Sequence, residues 1–295
     1  MRSFVEQFMV KYDYPEEARS VLLSAYDALM ACDKSRPELV RMIKEYDVSY
    51  GTDLVAEEEK MKEISLLAGV NEYTGMVIRF ICYMKRLKEY YDEAGYGEAM
   101  YMGVANDIKY KLWECKLVKG VWGSFVTPWF CRFFRLDRFC FERLQFELID
   151  FNGDYVTDGV ALKPDTKVIN VHIPRTGGRL DKESVDRSYA MAADFFKKKF
   201  GLDRIIFHCN SWLLFPKNKE LLKEGSNLLS FISDYRVVEV KEYDNYSEVW
   251  RLFDTEYTED HSKLPADSSL RRAYIDLMNK GEPIGSAKCV YIYED

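Results

Sequence analysis

Histidine is scarce, with three in 295 residues, and the seven cysteines at 32, 82, 115, 131, 140, 209 and 289 form no CxxC pair. That spacing writes neither a zinc ligand set nor a disulfide framework, so no metal is expected. Scattered thiols suit a reducing compartment, and a cytoplasmic location is expected. Long apolar runs are missing too. The most apolar stretch, Met76 to Met84, is broken by Arg79 and falls far short of the ~20 residues a spanning helix needs; it reads as a core helix, and no membrane is expected as partner. Charges interrupt the N-terminus at once, against a signal peptide. With 42 basic against 49 acidic residues the formal charge is -7, so no broad cationic field exists to draw in nucleic acid.

What is present is a 47% hydrophobic chain long enough for two cores. From Pro15 to about Lys119 the apolar period is helical. Positions 18, 21, 22, 25 and 29 share one face, and further helices are expected over 37–46, 53–68, 71–93 and 98–119, each bounded by Gly, Asn, Asp or Pro. The turn residues around Gly120 mark the change of pattern, giving a helical domain 1–120 and a second domain 121–295. No flexible linker separates them, so the bundle is expected to be docked rather than tethered. The aromatics Trp122, Phe125, Trp129, Phe130, Phe133 and Phe134 just past the turn suit a core between domains better than a pocket.

Beyond that point the runs 139–151, 154–162 and 166–174 alternate as antiparallel strands do. A helix follows from near Asp181, with Val185, Tyr189, Ala192, Phe196 and Phe200 on one stripe. Then come a strand over 204–215, a helical stretch over 221–232, strand-like runs over 235–243 and 246–254, a short helix over 268–281 and a last strand over 287–293. The fold class expected is α+β, a helical bundle followed by a mixed, mostly antiparallel sheet with flanking helices.

The stretch that carries chemistry is KVINVHIPRTGGRLDKES, where a strand runs into Arg175, Thr176, Gly177, Gly178 and Arg179 and then into a helix. Glycines let consecutive backbone N–H groups face a ligand, the helix start favours negative charge, and two arginines add phosphate donors. An ordinary glycine turn between strand and helix has the same local sequence. His172 and His208 lie on strands expected side by side, either as a base acting directly or through water, or as satisfied sheet histidines. Glu147 is a second candidate base, or an outward strand charge. Cys209 and Ser211 lack the nucleophile elbow of a hydrolase.

The order of strands, anion turn, helix, strand and helix resembles that of the GNAT acyltransferases. In particular the chain is similar to a bacterial family of acyltransferase-domain proteins with a helical N-terminal domain and a GNAT-like C-terminal domain. The segments that carry the resemblance are RLQFEL (143–148), VHIPRTGGRLDKESVDRSYAMAADFF (171–196), SWLLFP (211–216), SNLLSF (226–231) and LPADSSLRRAY (264–274). The resemblance implies acetyl-CoA or another acyl-CoA as co-substrate, its pantetheine along Val171, His172 and Ile173 and its pyrophosphate at Arg175, Thr176, Gly177, Gly178 and Arg179. The glycines here sit one place earlier than in the usual motif, and adjacent. It further implies Asn227 at the cofactor, His172 or Glu147 assisting deprotonation, and Tyr235 protonating the departing thiolate, although a buried tyrosine entering a strand would read the same. The activity implied is acyl transfer from CoA to the amine of a small-molecule or peptide acceptor; the alternative is a non-catalytic member of the fold that binds CoA, a metabolite or a protein partner.

Overall fold

The computed structural model describes residues 1–49, 52–157, 159–175 and 178–294. The chain divides into two units, Met1–Cys140 and Phe141–Asp295.

The first unit is built from α1 (Arg2–Lys11), α2 (Glu16–Ala31), α3 (Ser35–Glu45), α4 (Ala56–Leu67), α5 (Glu72–Glu93) and α6 (Glu98–Lys119). Two glutamates in the first turn of α2 meet its positive end. Asn71 caps α5 by accepting from the Tyr73 amide, and Gly120 ends α6 in the left-handed region at φ 72. Every residue from Thr74 to Met84 is buried, so α5 is the axis of the bundle rather than an amphipathic surface helix. α4 lies so close to it that a Cβ on Gly75 would fall 1.9 Å from Ser65 Oγ.

Arg79, in the middle of this axis, is fully buried. Its Nη1 donates to the Leu54 carbonyl at 3.2 Å and stands 3.6 Å from Glu57, whose carboxylate also accepts from Tyr83 Oη at 2.7 Å. The guanidinium lies 4.6 Å from the Phe80 ring centre. Phe130 and Phe134 reach the same core, at 5.2 and 4.9 Å from Phe80, on a 3-10 helix over Thr127–Arg135. The aromatic stretch after Gly120 thus packs within the helical unit, whose edge falls further along the chain than the turn residues at Gly120 suggest.

The second unit comprises β1 (Arg138–Phe141), which carries the chain across, β2 (Leu144–Asp150), β3 (Tyr155–Thr157), β4 (Val160–Leu162), β5 (Lys167–His172), α7 (Lys182–Phe200), β6 (Ile205–Ser211), α8 (Asn218–Leu221), α9 (Asn227–Ser233), β7 (Arg236–Glu242), α10 (Trp250–Phe253), α11 (Ser269–Asn279) and β8 (Gly285–Tyr293). The sheet runs β1-β2-β5-β6-β8-β7. β5 and β6 are parallel, and their neighbours β2, β8 and β7 pair antiparallel. This is the mixed α+β class expected.

Three local expectations are corrected. The strands of 139–174 do not form one meander: β3 and β4 fold out as a separate hairpin, and Val160 and Leu162 cluster with Phe151, Val168, Ile206 and Val290. The 246–254 run is helical, since Val249 and Phe253, one turn apart, are buried against Tyr274, Leu277 and Met278. The strand at 204–215 stops at Ser211, whose hydroxyl accepts from the Leu213 amide and opens a 3-10 turn.

One sheet face packs on α7, where Tyr189 meets Phe146, Phe207 and Tyr291 at ring separations of 6.2, 4.6 and 5.4 Å. Of the stripe expected on α7, Val185, Tyr189, Ala192 and Phe196 are buried; Phe200, the last helical residue, is exposed. Six of the seven cysteines are buried, and Cys32 is the partly exposed one. No helix among the described residues is long and apolar enough to cross a membrane.

Candidate active site

Alternation along a strand sends successive side chains to opposite faces, so Asn170 and His172 share the face away from Val171. Register brings partners to them. Glu147 on β2 lies opposite Asn170, and Asn170 lies opposite His208 on parallel β6. The result is a polar rung across three strands, in the sheet face whose apolar part holds Val168, Ile206 and Val290.

The rung is closely bonded. His172 Nε2 lies 2.8 Å from Glu147 Oε1. Asn170 Nδ2 donates to the same oxygen at 3.0 Å and lies 3.0 Å from His172 Nε2. On its other side Asn170 Oδ1 lies 2.8 Å from His208 Nδ1. Glu147 and His208 are buried, while His172 keeps partial exposure. Burial, with smaller contributions from Lys288 and His172, pushes His208 down from 6.5 to about 4, so its ring is neutral at pH 7.

The parallel register covers Ile169 opposite Phe207 and Asn170 opposite His208; β5 continues to His172 and β6 to Ser211. His172 therefore stands just past the paired stretch. The structure thus brings together Glu147 and His172, named from sequence as alternative bases, and joins them through Asn170, which sequence reasoning missed. Its signal was there in the alternation of Val168, Asn170 and His172, two polar residues on one face of an otherwise apolar strand.

Tyr235 stands elsewhere. Its hydroxyl lies 2.9 Å from that of Tyr189, on the α7 side of the sheet and against Tyr291. Burial raises its pKa well above the ordinary tyrosine value. The structure does not bring it to the rung.

Of the residues expected at the cofactor, Val171 is buried, and Ile173 follows the strand end at His172. Arg175 forks onto Asp254, with Nη2 to Oδ2 at 3.0 Å and Nη1 to Oδ1. Arg271 binds the same carboxylate at 2.6 Å. This cluster was illegible in the sequence, because its members are far apart along the chain. Thr176 and Gly177 lie outside the described residues. Gly178 and Arg179 are exposed. Asp181 caps α7 by accepting from the Ser184 amide at 2.9 Å, and amide donation holds its carboxyl below the usual range. Asn227 is the exposed first residue of α9.

Two family models account for almost the whole chain. One, the N-acyltransferase N-terminal domain, matches residues 3–136; the other, the GNAT-like C-terminal domain, matches residues 139–291. The chain belongs to the GNAT-like acyltransferase family. A search of curated protein sequences finds no match. Among solved structures, an acyltransferase in complex with decanoyl-CoA and teicoplanin is similar over 98% of this chain and 87% of its own, with TM-score 0.73 and 17% identity. An acyltransferase in complex with decanoyl-CoA gives TM-score 0.71 at 19% identity over the same shares. A third, in complex with CoA and 10C-teicoplanin, gives 0.65 at 17% identity over 98% and 99%. At these identities the likeness speaks for the fold, and it spans both units.

Proposed function

We propose that this acyl-CoA-dependent acyltransferase moves its acyl group to an amine, with His172 as general base and Glu147 as the carboxylate that holds it. The observation that carries the reading is the 2.8 Å contact between His172 Nε2 and Glu147 Oε1. A carboxylate accepts, so Nε2 donates to it, and in the neutral form of the ring Nδ1 carries the lone pair. As the amine nitrogen attacks the thioester carbonyl, Nδ1 takes its proton, and Glu147 stabilises the imidazolium that forms. The C–S bond then breaks, and the imidazolium returns the proton to the leaving thiolate. Tyr235, committed to Tyr189, enters this reading as a packing residue.

For the co-substrate, the reading places pantetheine along Val171 to Ile173 and pyrophosphate at Arg175 to Arg179, with Asn227 near the cofactor. The exposed backbone at Gly178 and the charge of Arg175 and Arg179 support it. Asp254 fixes the Arg175 guanidinium in place through Nη1 and Nη2, so a phosphate would be met by other N–H donors of the guanidinium rather than by that fork. The acceptor is the amine of a small molecule or peptide; one similar structure holds teicoplanin beside decanoyl-CoA.

The test is turnover of acetyl- to decanoyl-CoA with a panel of primary amines, followed by release of the CoA thiol. Wild type should turn over at least one pair, and His172→Ala should lose roughly 100- to 10,000-fold in kcat. Full activity in His172→Ala removes the base assignment. Binding of acyl-CoA with no turnover on any amine supports the non-catalytic alternative.

A further inference from the structure

The two ends of the six-stranded sheet differ. β1 closes one end with four residues, all buried. β7 closes the other with seven, of which Val238 is half-buried and the rest are exposed. The Tyr243 amide donates to the Ile284 carbonyl, just before β8, at 2.8 Å, and the Lys241 carbonyl lies against Gly285. Ladder alternation then turns the backbone of Glu239, like that of Lys241, toward β8, and leaves the N–H and C=O of Val240 and Glu242 facing the open side. Outside the β8 ladder, no backbone group among the described residues meets them.

Proteins blunt such edges with bulges and charges. Here the bulge falls between Val237 and Glu239, where the Tyr155 hydroxyl also donates to the Val237 carbonyl at 3.1 Å. From Glu239 to Glu242 the pairing with β8 is regular. The charges on this run suit a second copy of the same strand. Two copies related by a two-fold axis pair antiparallel, with residue i facing j and j facing i. Outward groups must meet outward groups, so the axis falls on a residue rather than between two. An axis at Glu239 or Glu242 sets two glutamates opposite one another, and an axis at Lys241 two lysines, which is destabilising. An axis at Val240 sets each Glu239 opposite Lys241 of the second copy and lets the two Val240 backbones exchange N–H···O bonds.

We infer that β7 is a self-association edge, on which a second copy of this chain pairs antiparallel about Val240. Its ionic groups are available for this. Lys241 makes no ion pair among the described residues. Glu239 accepts from Lys288 at 2.8 Å and, with its side chain 63% exposed, has room for a second donor. Val240, 45% exposed, loses apolar surface to water only when such a partner covers it.

Sedimentation velocity of the full-length wild type should show a concentration-dependent dimer between about 10 and 500 µM, the range in which a small interface is populated. Lys241→Glu and Glu239→Lys each set like charges opposite one another twice, and each alone should weaken association roughly ten- to a hundredfold. Mixed in equal amounts, the two variants place Glu opposite Lys at both positions and should associate within about threefold of wild type. Val240→Pro removes an N–H that does not serve the β8 ladder and should weaken association as the charge variants do. Thermal midpoints of the same samples separate lost association from lost fold. A wild type that stays monomeric to about 500 µM overturns the inference. So does a dimer that Lys241→Glu and Val240→Pro leave intact, or a mixture no more associated than its two components.

Discussion

His172 and Glu147 meet at 2.8 Å although they come from different strands, because the antiparallel register of β2 and β5 sets Glu147 beside Asn170 and strand alternation sets His172 on the same face. Glu147→Gln keeps the shape and removes the charge that would stabilise an imidazolium. The expected result is a fall in kcat of roughly a hundredfold or more with KM for acyl-CoA little changed. Steady-state kinetics on decanoyl-CoA check it; a loss confined to KM would instead make Glu147 a binding group.

The acyl-CoA phosphate site is tested by Arg175→Ala and Gly178→Val. Loss of one charge-assisted bond, about 1.5 to 3 kcal/mol, should weaken acyl-CoA binding roughly ten- to a hundredfold, and the valine should obstruct backbone approach. Calorimetric titration with acetyl- and decanoyl-CoA gives the numbers. If both variants bind as wild type does, the pyrophosphate lies elsewhere.

Stability should depend on pH through His208. Its folded value, about 4, lies below the ordinary 6.5, so between those values the unfolded chain binds a proton that the folded one does not. The stabilisation is complete above about pH 6.5 and falls by at most about 1.4 kcal/mol per unit as pH drops toward 4, about 3 kcal/mol in all. Urea unfolding at pH 7, 6, 5 and 4 measures it, with His208→Gln as the reference that lacks this slope. Parallel curves for the two proteins would show that His208 titrates normally.

Sequence patterning told much of the fold and part of the site. Helix limits at Gly120 and Asn71 were legible because one residue decides each. The 246–254 run was misread because β-branched and aromatic residues there bury by helical spacing against α11, a tertiary choice. Glu147 and His172 could be named as candidates from residue type alone. That they form one unit with Asn170 and His208 depends on the register of three strands, and that Arg175 is met by Asp254 depends on a contact between distant parts of the chain. Neither kind of pairing leaves a local trace.

Core packing of the helical unit can be probed at two places. Arg79→Ala takes from Glu57 its buried cation, leaving it Tyr83 and the more exposed Arg41 at 3.9 Å, and should cost about 3 kcal/mol. Urea denaturation of the isolated variant is the measurement; a loss under about 1 kcal/mol would mean that Tyr83 and Arg41 together satisfy the carboxylate.

Gly75→Ala forces a methyl group onto Ser65 and should cost about 1 to 3 kcal/mol. The same alanine combined with Ser65→Gly should recover much of this, because the clashing atoms are gone. Equal stability of the single and double variants, read from thermal midpoints, would place the strain elsewhere.

The distribution of thiols has a practical consequence. Burial pushes the thiols of Cys82 and Cys289 up to about 12 and that of Cys115 to about 11, and raises those of Cys131, Cys140 and Cys209 as well. Cys32, after the end of α2, moves the other way, its thiolate favoured chiefly by hydrogen bonding from Ser35. Since the thiolate is the reactive form, a maleimide dye should select that one position in the native wild-type chain. A fluorophore or spin label can thus be carried on the helical unit with no cysteine removed, and the six silent thiols become a count of how much of the protein has opened when a denaturant is added.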